Sequence, residues 1–131
     1  MREIKFRAWN KISKTMGEPF LLEESIRIRP AVDETDDCIF MQFTGIKDKN
    51  GREIYEGDIF GEYSFCGDYT NRDEPFGEVY FDEDLFAFCV KQTNGGWEYL
   101  NKVYQKPRVS IIGSIYEHPK LLTPHTVQWR R

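Results

Sequence analysis

The sequence predicts a mostly-β fold: a small SH3-like or barrel-like β domain with at most one or two short helices. Three observations predict it. Apolar and polar residues alternate with period two over many short segments, as side chains do on the two faces of a strand. Clusters of Asn, Gly, Asp and Pro recur at intervals of roughly eight to twelve residues, the spacing of small barrels and sandwiches. Gly113 interrupts an apolar run, and a glycine inside a strand marks a bulge or a barrel bend.

The chain has 131 residues, a length that fits one domain. We expect residues 1–122 to form it and residues 123–131 to be a C-terminal tail. Hydrophobic residues make up 40% of the sequence and aromatic residues 15%, which excludes a disordered chain. The opening residues Met1 to Arg7 alternate charged and apolar side chains and contain no apolar core of a signal peptide. The apolar run Leu85 to Val90 falls far short of the roughly 20 residues that span a bilayer. These features point to a cytoplasmic protein without a membrane partner. Cys38, Cys66 and Cys89 are odd in number and widely spaced, with no CxxC pair. Cys38 and Cys89 sit in apolar runs, where free cysteine acts as a small hydrophobe. Cys66 lies in a polar stretch and has no basic neighbour to activate it.

Element by element, Ile4, Phe6 and Ala8 alternate with Glu3, Lys5 and Arg7 in a first strand that ends at Trp9. Asn10 to Lys14 reads as a turn. Residues 20–26 read as a short helix, Ile26 to Arg29 as a strand stopped by Pro30, and Asp33 to Asp37 as a loop. Cys38 to Phe43 is an apolar strand closed by Thr44-Gly45. Asn50-Gly51 marks a hairpin of the type I′ kind, which needs positive φ at both central residues, with Ile46 and Ile54 flanking it. Tyr55 to Asp58 is a second turn with Gly57 at positive φ, and Ile59 to Phe65 continues as a strand. Cys66 to Phe76 reads as an exposed polar loop. Glu78 to Phe81 and Leu85 to Lys91 are strands joined through Asp82-Glu83-Asp84. Thr93 to Gly96 is a tight turn, and Trp97 to Leu100 starts the next strand. After Pro107, Val109 to Tyr116 forms the last strand, and Leu121-Leu122 docks back onto the domain.

Charge is uneven along the chain. Residues 1–14 carry five basic groups and one acid, residues 62–84 carry eight acids and one arginine, and residues 101–131 carry six basic groups and one acid. The net charge is −4. That layout suits self-association or a charge-matched partner, although folding can also average it out.

Candidate partner-surface residues come from two places. Lys5, Arg7 and Trp9 share one face of the first strand, opposite Ile4, Phe6 and Ala8, and would make an outward basic–aromatic strip. Tyr55, Glu56 and Asp58 would make a polar edge at the second turn. Each of these also has a plain folding role, since Asp58 can bond local backbone N–H groups. The strip would suit nucleic acid, but a pI near 5.3 opposes a dedicated binder. No catalytic, cofactor or metal site is expected. Glu56 and Asp58, and Asp82-Glu83-Asp84, lack the spacing of a calcium loop. His118 and His125 stand in no nucleophile motif, and there is no phosphate-binding glycine loop and no HExxH. We therefore expect a protein that is not an enzyme.

Three stretches in order add a resemblance. Met1 to Trp9 (MREIKFRAW), Phe43 to Ile59 (FTGIKDKNGREIYEGDI) and Ile111 to Leu122 (IIGSIYEHPKLL) resemble the YopX family of phage and prophage proteins. The departures are small: Asn10 stands where Asp is common, and Ser114 and His118 stand where Asn is common. The resemblance implies a mostly-β domain with a barrel-like core, made in a bacterial host, with no settled activity and no catalytic residues to carry over. The combined expectation is a non-enzymatic phage accessory protein that acts through a binding surface. Its expected partner is a second copy, or else a host or phage protein; nucleic-acid binding is the alternative.

Overall fold

Two antiparallel sheets of five strands each, curled into a half-barrel, build the molecule. The computed structural model describes residues 3–23, 37–66 and 70–122, with side chains for all of these except 63–66 and 70–74. The first sheet holds β1 (Lys5–Asn10), β2 (Thr15–Met16), β3 (Phe20–Leu21), β4 (Cys38–Lys47) and β5 (Glu53–Tyr55), in the order β2-β1-β4-β5 with β3 also on β1. The second holds β6 (Asp58–Cys66), β7 (Thr70–Asp82), β8 (Ala87–Gln92), β9 (Trp97–Tyr99) and β10 (Val109–Ser114), in the order β10-β6-β7-β8-β9. A single helical turn, α1 (Leu100–Val103), follows β9 and buries Leu100 and Val103. A 3-10 turn at Pro119–Leu122 packs on β7, as the docking of Leu121-Leu122 required.

The larger core joins the second sheet to α1 and to β5: Ile54, Phe60, Val79, Val90, Leu100, Val103 and Val109 are all buried together. Met41, Phe43 and Tyr55 form a smaller cluster under the first sheet, with Trp9, Met16 and Tyr116 packed against it. The step from β5 to β6 carries the chain from one sheet to the other through Glu56-Gly57. Gly57 has φ 85°, as the sequence predicts. A Cβ there would also stand 3.0 Å from the Tyr116 ring. The β10–β6 register shifts between Ile111 and Gly113, so the bulge read from Gly113 is present.

Several expectations are corrected. Most of the loop expected over Cys66 to Phe76 is strand: β6 and β7 pair from Glu62 with Glu74 out to Cys66 with Thr70, while residues 67–69 lie outside the described residues. The polar composition signals solvent, but the ladder satisfies the backbone whatever the side chains are. Pro75 is tolerated because it sits at the register shift opposite Gly61. Phe20–Leu21 is a strand, pairing with Phe6 and Lys5, and the expected helix begins after it, with Leu22 and Glu23 helical; residues 24–36, and with them the rest of that helix, the Ile26–Arg29 strand and most of the loop after it, lie outside the described residues, as does the tail 123–131. Leu100 leaves β9 and enters α1. β4 runs on past Thr44-Gly45 to Lys47, with a register irregularity where Gly45 takes φ 89°.

The Asn50-Gly51 hairpin exists but is not type I′. Gly51 has φ 84°, whereas Lys14 and Phe86 are the non-glycine residues at positive φ among those described. The Gly51 N–H donates to Asp48 O at 3.0 Å, the pattern of a type I turn with Asp first and Gly last. The reason is Asp48, whose buried carboxylate accepts the N–H groups of Asn50 and Arg52 at 2.9 Å each. Its other oxygen accepts Ile111 N–H at 3.2 Å and so ties the turn to β10.

Candidate functional site

Four of the six residues singled out in the sequence, Lys5, Arg7, Tyr55 and Asp58, meet on the inner side of the first sheet, while Trp9 packs on Tyr116 and Glu56 bonds the Gln42 backbone. β1 pairs with β4 so that Arg7 lies opposite Met41 and Trp9 opposite Ile39. Met41 is buried, and this fixes the inward face of β1 as the charged one. Arg7 ion-pairs with Asp58, whose side chain is 2% exposed. Lys5 reaches Glu53 at 2.5 Å. The Arg7 guanidinium also lies 4.6 Å from the centre of the Tyr55 ring, and the Lys5 ammonium lies 5.3 Å from the Phe43 ring. Trp9 stacks on Tyr116 at 6.2 Å. The outward basic strip is therefore a correction: these cations face in, because the carboxylates that neutralise them stand on β5 and at the start of β6.

The second turn supplies the other half. Asp58 Oδ2 accepts the Tyr55 N–H at 2.8 Å, the local backbone bond that the sequence reading assigned to Asp58. Glu56 is not part of an outward edge. Its carboxylate accepts the Gln42 N–H at 2.7 Å, and its own N–H donates to Gln42 O at 3.0 Å. The Tyr55 hydroxyl donates to Glu53 at 2.9 Å. Glu53 and Asp48 were missed in the sequence. The only signal for Glu53 was that an inward Lys5 needs a carboxylate, and the face of β1 was read the other way round.

Burial sets the electrostatics. The Asp58 carboxyl is pushed up to about 6, because desolvation outweighs the help of Arg7 and the Tyr55 N–H. Burial also pushes the Tyr55 hydroxyl up, and the Glu53 carboxylate beside it adds to that. The Lys5–Glu53 pair shifts both partners toward their charged forms. Lys5 is raised chiefly by its hydrogen bond to Glu53; Glu53 is lowered because that bond and the Tyr55 bond together overcome burial. Among the described residues, no group of three or more His, Cys, Asp and Glu could hold a metal. What this arrangement does chemically is clasp two sheets at their corner.

Two further surfaces stand outside the clasp. On the outer face of the second sheet, Glu78, Tyr80, Lys91, Gly95, Gly96 and Trp97 line an open recess of about 450 Å³. Burial raises the Glu78 carboxyl, opposed by Lys91, and Trp97 meets Tyr99 edge-on at 5.3 Å. The other surface is the outer face of the first sheet. Phe6 and Phe20 lie 6.2 Å apart, and Phe20 meets Phe40 edge-on at 6.3 Å. Phe40 is 46% exposed and Ile4 44%.

The class this defines is a small curled β domain whose two sheets are joined at a charged corner. The chain belongs to the YopX protein family, whose profile matches residues 5–123. That match spans the clasp, the corner and the final strand. Among solved structures the chain is similar to protein EF1440 from Enterococcus faecalis, with a TM-score of 0.59 and 24% sequence identity, covering 94% of this chain and 100% of that one. That likeness concerns the fold alone. No curated protein matches the chain. No helix among the described residues is long and apolar enough to cross a membrane.

Proposed function

We propose that this chain is a non-enzymatic protein-interaction or assembly module, encoded by a phage or prophage and acting in the cytoplasm of a bacterial host. One observation carries the reading: the first sheet turns Lys5 and Arg7 inward beside Phe43 and Tyr55, and leaves a second set of rings, Phe6, Phe20 and Phe40, on its outer face. The Phe6–Phe20–Phe40 row, with Ile4, leaves apolar surface in water on a sheet that could have hidden it. Contiguous apolar surface of that kind marks protein contact sites. The nucleic-acid alternative relied on an outward Lys5–Arg7–Trp9 strip, and with those side chains in the clasp it loses its support.

A pull-down from host cells tests the proposal, with wild type and Phe40→Glu as baits. The reading expects proteins captured by wild type and lost from Phe40→Glu, with both baits equally folded by circular dichroism. The same proteins on both baits would overturn it.

A further inference from the structure

The β7–β8 hairpin carries a residue that its own fold does not use. Phe86 is 83% exposed and sits at φ 49°. For a bulky L-residue the left-handed region is strained, and glycine or asparagine normally fills such a turn position. The turn demands that conformation. The Asp82 carboxylate accepts the N–H groups of Asp84 and Leu85 at 2.9 and 3.0 Å, which fixes the bend and leaves the last residue left-handed. A phenyl ring placed there, 83% in solvent, repays little of that strain within its own chain. Leu85 beside it is 39% exposed and Phe81 at the foot of the turn 38%. Backbone strain at an exposed anchor points to function rather than folding. The exposed acids Glu83 and Asp84 flank the tip.

A seat of matching chemistry exists on the other sheet. Phe40 pairs with Ala8, two residues along β1 from Asn10, where the β1–β2 turn begins. That turn exposes Ile12 at 74% between the exposed Lys11 and Lys14. The Phe40 end of the outer face thus carries apolar Phe40 and Ile12 with Lys11 and Lys14, and one described acid, Asp37, whose backbone oxygen accepts the Lys11 N–H at 2.7 Å. Glu3 and Glu23 lie toward the opposite end, by Ile4 and Leu22, and Glu18 lies between β2 and β3. We infer that the Phe86 hairpin tip docks onto a second copy of this chain, seating its ring at the Phe40–Ile12 end of the first sheet, with Glu83 and Asp84 meeting Lys11 and Lys14. This rests on the interaction-module reading and names its partner. Tip and seat are different surfaces, so the contact is head-to-tail. It is also small, in the transient class of interfaces.

Sedimentation velocity on the purified full chain tests it. Wild type shows a mass that rises with concentration and falls with added salt. Phe86→Gly removes the ring and relieves the backbone, so it stays monomeric with a Tm at or above wild type. Phe40→Glu also stays monomeric. An equimolar mixture of the two restores a one-to-one dimer, since one variant keeps the seat and the other the tip. A monomeric wild type at roughly millimolar concentration, the weak end of specific affinities, overturns the proposal. So does a Phe86→Gly that assembles like wild type, or a mixture that stays monomeric. If self-association fails in this way while Phe40→Glu still loses its captured proteins in the pull-down, only the second-copy assignment falls.

Discussion

The two sheets solve the same problem with opposite signs. On the second, Val79 and Val90 pair across β7 and β8, both fully buried, while Glu78 and Lys91 next to them face the outer recess. On the first, β1 sends Lys5 and Arg7 inward and leaves Phe6 on the outer side. The second sheet is stabilised mainly by apolar burial, with Asp58 at the start of β6 as the charge it contributes to the corner. The first buries charge, which is tolerated only when each charge is paired and hydrogen-bonded. Apolar area thus fixes one sheet, and charge complementarity fixes the direction in which the other faces.

The largest test of that contrast removes Arg7. Asp58, 2% exposed, would lose the cation that holds its carboxyl down and must either take up a proton or stay charged and unpaired. Arg7→Leu should therefore cost roughly 3–5 kcal/mol in urea unfolding, the usual effect of breaking a buried pair. The double variant Arg7→Leu/Asp58→Asn keeps an oxygen for the Tyr55 N–H and carries no buried charge. It should recover more than half of the loss. If the double variant were no better than the single, packing of the Arg7 stem on Tyr55 would be what matters, and the contrast would fail.

Next in size is a pH effect. The Asp58 carboxyl titrates near 6 in the fold against an ordinary 3.8. The native state therefore holds a proton that the unfolded chain releases between those values. Its contribution is fully present below about pH 4 and is lost as pH rises through 6, a span of ~3 kcal/mol at most. Glu53, which is lowered, works the other way, its contribution being lost as pH falls below the ordinary carboxyl range. Wild-type stability minus that of Asp58→Asn should therefore decline from pH 4 to pH 7. A flat difference would show that Arg7 fully compensates the burial of Asp58.

Much of the architecture was legible in the sequence. Gly57 and Gly113 announced their positive φ and bulge, because the geometry at each is local. The face of β1 was not legible. Alternation along MREIKFRAW gives the period of the strand but not which side meets the core, and the deciding groups, Met41, Glu53 and Asp58, lie more than thirty residues away. The same limit hid the β6–β7 arm, where a polar stretch becomes strand by pairing with Glu62 to Cys66. The six candidate residues make contacts within the fold: Lys5, Arg7, Tyr55 and Asp58 in the clasp, Trp9 on Tyr116, and Glu56 on the Gln42 backbone. The surface we propose for contact comes from Phe40 and Phe86, which the alternation had not singled out.

The corner between the sheets gives a smaller effect. Gly57→Ala would place a side chain at φ 85° and press it on Tyr116. The cost should be ~1–2 kcal/mol, read as a fall in Tm. An unchanged Tm would mean that the corner yields, and that the clasp rather than the turn sets the angle.

The smallest effect has the opposite sign. Phe86→Gly removes a left-handed penalty of roughly 1–2 kcal/mol and adds a glycine entropy cost of roughly 0.5–1 kcal/mol. The ring is 83% exposed, so little burial is lost. The variant should unfold with a stability equal to wild type or up to about 1 kcal/mol higher, measured in dilute solution where self-association is absent. At the clasp, substitution destabilises because each group has a partner inside the chain. At the hairpin tip it stabilises because Phe86 stands 83% in solvent and gives up little contact. A destabilised Phe86→Gly would place the ring among the fold's own contacts and remove the asymmetry between the two regions.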